Sequence, residues 1–266
     1  MLNVLFTAFN RPDLLKQSLA PFSNYASESC FFLHVDGPRA EYSQDIQLIE
    51  ENLKVFLDFC HSSKPVRFEV FAQPSNLGCM LGMQSAISWF FTLVDSGMII
   101  EDDILVHPDA ILNTNFLLER HEHDRKIGSI SLYAEKNLSP KELIVWRKKS
   151  WPHIWGWATW RDRWEVYEQH VQPIVNIRDR MKLTQHLGFN RTKSALRLFD
   201  RHSDSKNTWD TQWLYTHCKN YWKTVSPSRT LTSNLGFDER ATHTRSQAAG
   251  INSIDLSQAN HRHVFT

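Results

Sequence analysis

Cysteine is scarce and scattered in this 266-residue chain: Cys30, Cys60, Cys79 and Cys218 are all there are, and no two form a CxxC pair. That spacing excludes a zinc-finger or dithiol redox motif. Cys30 leads the apolar run Phe31-Phe32-Leu33, and Cys60 closes an apolar helical stripe, so both read as buried thiols of a reducing compartment. An excess of one charge is missing too. The net charge of +1 gives no general reason to expect nucleic acid or an anionic membrane as partner. No apolar run approaches the roughly 18 residues that a bilayer-spanning helix needs. The stretch Leu2-Asn3-Val4-Leu5-Phe6 reads as a strand, with neither the basic flank nor the cleavage site of a secretory leader. A cytoplasmic protein without a transmembrane segment is therefore expected. The glycine- and lysine-rich phosphate loop of many nucleotide enzymes is also absent, as are internal repeats and low-complexity segments.

What is present begins with alternation. Residues 2–9 form an apolar strand, Asn10-Arg11 follow it, and Pro12 suits the first turn of a helix. A second strand over 30–36 ends at Asp36-Gly37-Pro38. Ile46, Ile49, Leu53, Phe56 and Cys60 recur at helical spacing. Residues 66–72 alternate as a third strand, the turn Gln73-Pro74-Ser75-Asn76 leads into a helix over 78–91, and a fourth apolar strand ends at Glu101. This βαβαβαβ order predicts an α/β fold, a mostly parallel central sheet flanked by helices with right-handed connections. Residues 1–125 would carry the nucleotide-binding half and 126–266 an aromatic-rich acceptor half of one domain.

The run Gly97-Met98-Ile99-Ile100 ends in Glu101-Asp102-Asp103, and Ile104-Leu105-Val106-His107-Pro108-Asp109 follows. Three adjacent carboxylates at the end of a buried strand raise one another's pKa unless a cation neutralises them. A hard divalent metal is the natural neutraliser, because it prefers oxygen ligands and brings phosphates with it. In extended backbone, Glu101 and Asp103 would face one side and Asp102 the other. Ligands of such sheets bind beyond the C-terminal strand ends, where Arg11, Asp36 and the three acids all fall. Taken singly, Arg11 reads equally as a surface cation and Asp36 as a turn-former.

Nine of the ten tryptophans lie at or beyond Trp146, so the second half differs in character. Residues 127–134 read as another strand. The segment from Trp151 to Trp164 is dense in rings that suit either a sugar platform or the core. In Thr208-Trp209-Asp210-Thr211-Gln212-Trp213, Asp210 is either a helix N-cap or a base desolvated by its tryptophan neighbours. The polar stretch 228–244, with Arg229, Arg240 and His243, is either a surface loop or a lid over an anionic ligand.

In this order the segments resemble a GT-A type inverting glycosyltransferase, of the N-acetylglucosaminyltransferase I family and of bacterial transferases of surface-polysaccharide assembly. The stretch Ile99–Asp109, Gly156-Trp157 followed by Trp164, Trp209-Asp210 and Pro227-Ser228-Arg229-Thr230 carry the resemblance. It implies that Arg11 lies near the donor diphosphate, Asp36 hydrogen-bonds the uracil ring, Glu101 and Asp102 contact ribose and sugar, and Asp103 holds Mn²⁺ or Mg²⁺. It further implies Asp210 as catalytic base, Arg229 and His243 in a loop that closes on the donor, and Trp157 and Trp209 toward the acceptor. Asn76-Leu77-Gly78 matches a motif of other inverting transferases but lacks the basic residue that usually follows.

The implied partners are a UDP-sugar, UDP-GlcNAc among the candidates, and a cell-surface glycan such as lipopolysaccharide or capsule. A lipid-linked acceptor would bring the chain to a membrane surface without a spanning segment. Two other readings stay open: a catalytically silent sugar-binding module on the same scaffold, and a Mg²⁺-dependent nucleotidyltransferase.

Overall fold

The computed structural model describes residues 1–138, 143–203, 208–236 and 262–266. In chain order the first half comprises β1 (Leu2–Ala8), α1 (Pro12–Leu19), a 3₁₀ segment (Ala20–Glu28), β2 (Ser29–Val35), α2 (Gln44–Ser63), β3 (Arg67–Ala72), α3 (Gly78–Leu93), β4 (Ser96–Glu101), β5 (Ile104–Val106) and α4 (Pro108–His121). The second comprises β6 (Ile127–Ser131), β7 (Leu143–Lys149), β8 (Trp157–Trp160), α5 (Arg161–Trp164), α6 (Ile177–Leu187), α7 (Phe189–His202), α8 (Asp210–Lys219), β9 (Lys223–Pro227), β10 (Thr232–Asn234) and β11 (Arg262–Phe265). The expected α/β class is what these elements build.

Nine of the described strands form one sheet in the order β11-β7-β9-β6-β8-β4-β1-β2-β3, so both halves of the chain share it. β1, β2, β3, β4, β6 and β9 run one way, and β7, β8 and β11 the other. The chain moves outward from β1 through β2 to β3, then returns to add β4 on the other side of β1. That reversal opens a crevice between the C-terminal ends of β1 and β4, the usual ligand position in an open α/β sheet.

Alternation along the strands sorts side chains into two apolar layers. Val4, Phe6, Phe31, Leu33, Met98 and Ile100 face one layer, against α1, α2 and α4. Leu5, Cys30, Phe32 and Ile99 face the other, with Met83, Ile87 and Phe90 of α3 and with Trp157, Trp164, Trp209, Trp213 and Trp222. The tryptophan-rich segment is thus mainly core. Trp157 packs on Trp209 with centroids 5.7 Å apart and on Trp213 at 5.2 Å. Trp157 and Trp209 are 1% and 2% exposed, which corrects their expected place on the acceptor: burial in the sheet-to-helix layer leaves no ring face for a ligand.

Local chemistry sets the element ends. Lys64 adopts φ 52° after α2, and its amide donates to the Cys60 carbonyl at 2.9 Å, a left-handed helix stop. Cys30, Cys60 and Cys218 are buried thiols, as expected for the first two. No helix among the described residues is long and apolar enough to cross a membrane. Among these packing constraints the backbone at Gly97 is the tightest in β4. A Cβ there would lie 2.4 Å from the Phe90 ring and 2.7 Å from the Asn3 carbonyl oxygen, which is backbone and cannot rotate away. Gly97→Ala should therefore cost about 1–3 kcal/mol, read as a lowered urea midpoint with an unchanged m-value.

Candidate functional site

The acids stand at the reversal of strand order. The amide of Asp102 donates to the Thr7 carbonyl at 2.9 Å, and that of Asp36 to the Ala8 carbonyl at 2.9 Å. Each carboxylate thus sits one residue past a strand flanking β1. Asp102 and Asp103 form a turn between β4 and β5, so the expected alternation stops at Glu101. Arg11, just ahead of Pro12, consequently reaches both aspartates. Its Nη2 bonds Asp102 Oδ1, its Nε donates to Asp102 Oδ2 at 3.3 Å, and its Nη1 lies 3.0 Å from Asp103 Oδ2. Burial pulls the Arg11 pKa down, but Asp102 and Asp103 raise it by more, so the guanidinium stays charged.

Arg11 does not neutralise all three acids. Burial first, then the charges of Asp103 and Asp102, push Glu101 from 4.5 up to about 8, with Asp210 adding a smaller push from across the crevice. Burial also lifts Asp102 against the pull of Arg11. The uncompensated negative charge fits a divalent cation. Among the described residues no three His, Cys, Asp or Glu side chains are arranged to hold one. Asp103 is the more open of the two aspartates, its side chain 15% exposed where that of Asp102 is 3%.

The stretch expected as a lid is in part fixed structure. β10 pairs antiparallel with β5, and the Leu235 amide donates to the Asp103 carbonyl at 2.7 Å. Gly236 then passes so close to the acid that a Cβ would lie 2.1 Å from Asp103 Oδ2. Arg229 is half-buried in the bend between β9 and β10. Arg240 and His243 lie outside the described residues.

A cavity of about 230 Å³ fills the crevice, lined by Thr7 and Ala8 of β1, Arg11, His34, Asp36, Asn76, Gly78, Cys79, Glu101 and Asp102 among others. Asp36 faces it but is fully engaged. Oδ1 accepts from the amides of Gly37 (2.9 Å) and Leu77 (2.8 Å), and Oδ2 from the Gly78 amide (3.0 Å) and Asn76 Nδ2 (2.9 Å). A carboxylate offers about four lone-pair sites, so none is left for a base ring. Asp36 is instead the clamp that fixes Asn76–Gly78 at the start of α3, where Gly78 takes φ 73°. Asp45 does the same for the rim and was not read from the sequence. Buried at 1%, it accepts from Arg39 Nε at 2.7 Å and Asn10 Nδ2 at 2.9 Å. The Arg39 hydrogen bond, outweighing the desolvation that opposes it, brings Asp45 down to about 2.

Asp210 opens α8 and is exposed. It is neither an N-cap, which is Trp209 without a side-chain cap bond, nor desolvated, because Trp209 and Trp213 point into the core. Trp209 serves as its anchor: the ring is buried, and the carbonyl accepts from Tyr167 Oη at 3.0 Å. Thr211 Oγ1 meets His202 Nδ1 at 2.8 Å on the other side. Asp210 lines a second cavity of about 340 Å³ with Tyr133, Glu135, Trp151, His153, Trp155 and Leu214 among its neighbours. The ring faces that can meet a ligand thus belong to Tyr133, Trp151 and Trp155.

No protein-family model matches the chain, and no curated protein sequence does. Solved structures of similar outline include a mannosyltransferase, PcManGT from Pyrobaculum calidifontis, in complex with GDP-Man and Mn²⁺. It is 10% identical, with 83% of this chain and 69% of that one covered and a TM-score of 0.46. The galactosyltransferase LgtC, in complex with donor and acceptor sugar analogues, is 10% identical, with 85% and 73% covered and a TM-score of 0.44. An apo UDP-glucose pyrophosphorylase is 11% identical, with 85% and 89% covered and a TM-score of 0.41. Likeness at this level bears on neither chemistry nor substrate.

The raised Glu101 pKa has a thermodynamic consequence. Between its ordinary 4.5 and about 8 the folded protein holds a proton that the unfolded chain has released. Stability must then fall as pH rises through that window. Glu101→Gln should flatten this decline, as should added Mn²⁺, and melting temperatures recorded from pH 4.5 to 8 would reveal both. A slope equal in Glu101→Gln and wild type would show that Glu101 ionises normally.

Proposed function

We propose that this chain is a metal-dependent, inverting glycosyltransferase that moves a sugar from a nucleotide donor, a UDP-sugar such as UDP-GlcNAc, to a hydroxyl of a cell-surface glycan. The observation that carries this reading is the placement of two different acid sites on one sheet edge. A charged, metal-seeking cluster stands at the strand-order reversal, and an exposed carboxylate stands at the mouth of an aromatic cavity farther along. A pure sugar-binding module has no use for the first. In this reading the chain is a single cytoplasmic domain that works as the N-acetylglucosaminyltransferase I and bacterial polysaccharide transferases do.

The donor nucleotide occupies the cavity between β1 and β4. Asn76 to Gly78, held by Asp36, form its wall, and Glu101 contacts ribose and sugar. Asp102 keeps Arg11 in place beside the diphosphate, and Asp103 is the protein ligand of Mn²⁺ or Mg²⁺. When bound, that ion offsets the charge that builds on the departing diphosphate. The acceptor sugar lies on Tyr133, Trp151 and Trp155. As its hydroxyl oxygen attacks the anomeric carbon, an Asp210 carboxylate oxygen takes the hydroxyl proton. The bond from the anomeric carbon to the diphosphate breaks, the electron pair leaves on the nucleoside diphosphate, and the single displacement inverts the centre. Asp210 suits a base because it faces solvent at the mouth of the aromatic cavity and follows directly on the buried Trp209. Of the segment expected to close over the donor, Arg229 lies among the described residues, in the bend between β9 and β10, and supplies a cation toward the diphosphate.

Thermal shift against a panel of nucleotide sugars tests the donor site. The right donor at 100 times its Kd should stabilise by about 2.7 kcal/mol, with Mn²⁺ required, and Asp103→Ala should abolish the effect. Asp210→Asn should keep that stabilisation and lower turnover by roughly 10²–10⁴-fold; equal turnover would remove Asp210 as base. Release of pyrophosphate instead of nucleoside diphosphate would turn the assignment to nucleotidyl transfer.

A further inference from the structure

A third cavity, of about 100 Å³, continues the row along the same sheet edge, at the ends of β6 and β9 and beside β7. Its lining includes Lys136, Arg147, Lys149 and Arg191 against a single acid, Glu135. Such density of one sign is local, since the chain as a whole carries only +1. Strand geometry builds it: Arg147 and Lys149 are two apart on β7, hence on one face, and pair across to Ser226 and Thr224 of β9. Both are exposed. Glu135 already serves Arg191 at 2.8 Å and His153 at 3.5 Å, so among the described residues it is the one acid that lines the cavity beside Lys136, Arg147 and Lys149. Ser226, which lines the cavity, is 4% exposed, and its Oγ has no hydrogen-bond partner among the described residues. A buried hydroxyl in that state is costly and points to a missing polar ligand.

This cavity shares no residue with the donor crevice, but Tyr133, Glu135 and His153 line both it and the Asp210 cavity. Tyr133 stands edge-on to His153 at 5.1 Å and to Trp155 at 4.9 Å, so the three rings form the partition. Arg191 spans it, its guanidinium 5.8 Å from the Trp151 ring centre. The space is the smallest of the three cavities in the row, about 100 Å³ against about 230 and 340 Å³. It suits a substituent.

We propose that the acceptor carries an oxyanion, a phosphate or carboxylate on the sugar next to the attacking hydroxyl, and that Arg147, Lys149 and Lys136 receive it with Ser226 Oγ as a donor. The sugar ring itself lies across the partition beside Asp210. Arg147 and Lys149 then select acidic over neutral acceptors. This rests on the acceptor reading of the Asp210 cavity.

Calorimetric titration separates the possibilities. Disaccharides are each presented as the neutral sugar, the 6-phosphate and the 6-carboxylate, to wild type and to the double variant R147Q/K149Q. Wild type should bind one acidic form at least tenfold more tightly than its neutral parent, and the comparison of the two acids tells phosphate from carboxylate. The preference should vanish in the double variant and shrink as salt rises, because both cations are exposed. Equal binding of neutral and acidic sugars, a preference that survives in the variant, or no acid binding by wild type would each overturn the proposal. Thermal stabilisation by UDP-sugars with Mn²⁺, measured on the same two proteins, should be equal. Its absence in both, with the acid preference intact, would strike the donor-site reading and leave the recognition of an acidic sugar at this cavity standing.

Discussion

Three carboxylates share one tight turn at the end of β4, with Arg11 as the cation set against them. The burial of Asp102 is tolerable because Arg11 donates to both of its oxygens. An unpaired buried charge would cost several kcal/mol. Much follows from that one contact. Arg11 can reach the turn because Pro12 starts α1 immediately after it and the β1 end lies beside β4 in the ladder. With the turn pinned, β5 points back to meet β10, and β10 brings Leu235 and Gly236 onto Asp103. Removing the cation would release the turn, the small sheet and the approach to the tail together.

The first half of the fold was legible because its signals are local. β1 to β4 and α1 to α3 come from apolar runs, helical spacing and Pro or Gly punctuation, and their ends agree with expectation to within a few residues. The second half was not, because its strands answer to partners. Trp157–Trp160 reads as an aromatic platform, yet it is β8, held antiparallel between β4 and β6. Thr232–Asn234 has no apolar pattern of its own and is a strand only through β5. α6 and α7 were not read from the sequence although each buries one face at helical spacing, Leu183 and Leu187 in the first and Thr192, Ala195 and Phe199 in the second, because exposed Ile177, Met181 and Phe189 blur the pattern.

At the site, residue types were easier to read than their tasks. Glu101, Asp102, Arg11 and Asp36 do converge on one cavity. What chain order cannot convey is how many hydrogen bonds each has already made. Asp36 spends its lone pairs on Gly37 and the loop before α3, and Asp210 stays exposed at the first position of α8 although Trp209 before it and Trp213 one turn on are buried. Asp45 was invisible for the opposite reason: nothing near it in the chain marks an aspartate that organises a rim through Asn10 and Arg39.

The antiparallel insertion of β8 also orders events in time. The strands β3-β2-β1-β4 are complete once Glu101 has been made, but the free edge of β4 finds its neighbour only when Trp157–Trp160 has followed. A growing chain therefore carries an open, apolar strand edge through the synthesis of α4, β6 and β7, the kind of edge that recruits other chains. Met98 and Ile99, opposite Ala158 and Trp157 in the finished sheet, are the residues such a nascent chain most needs to have shielded.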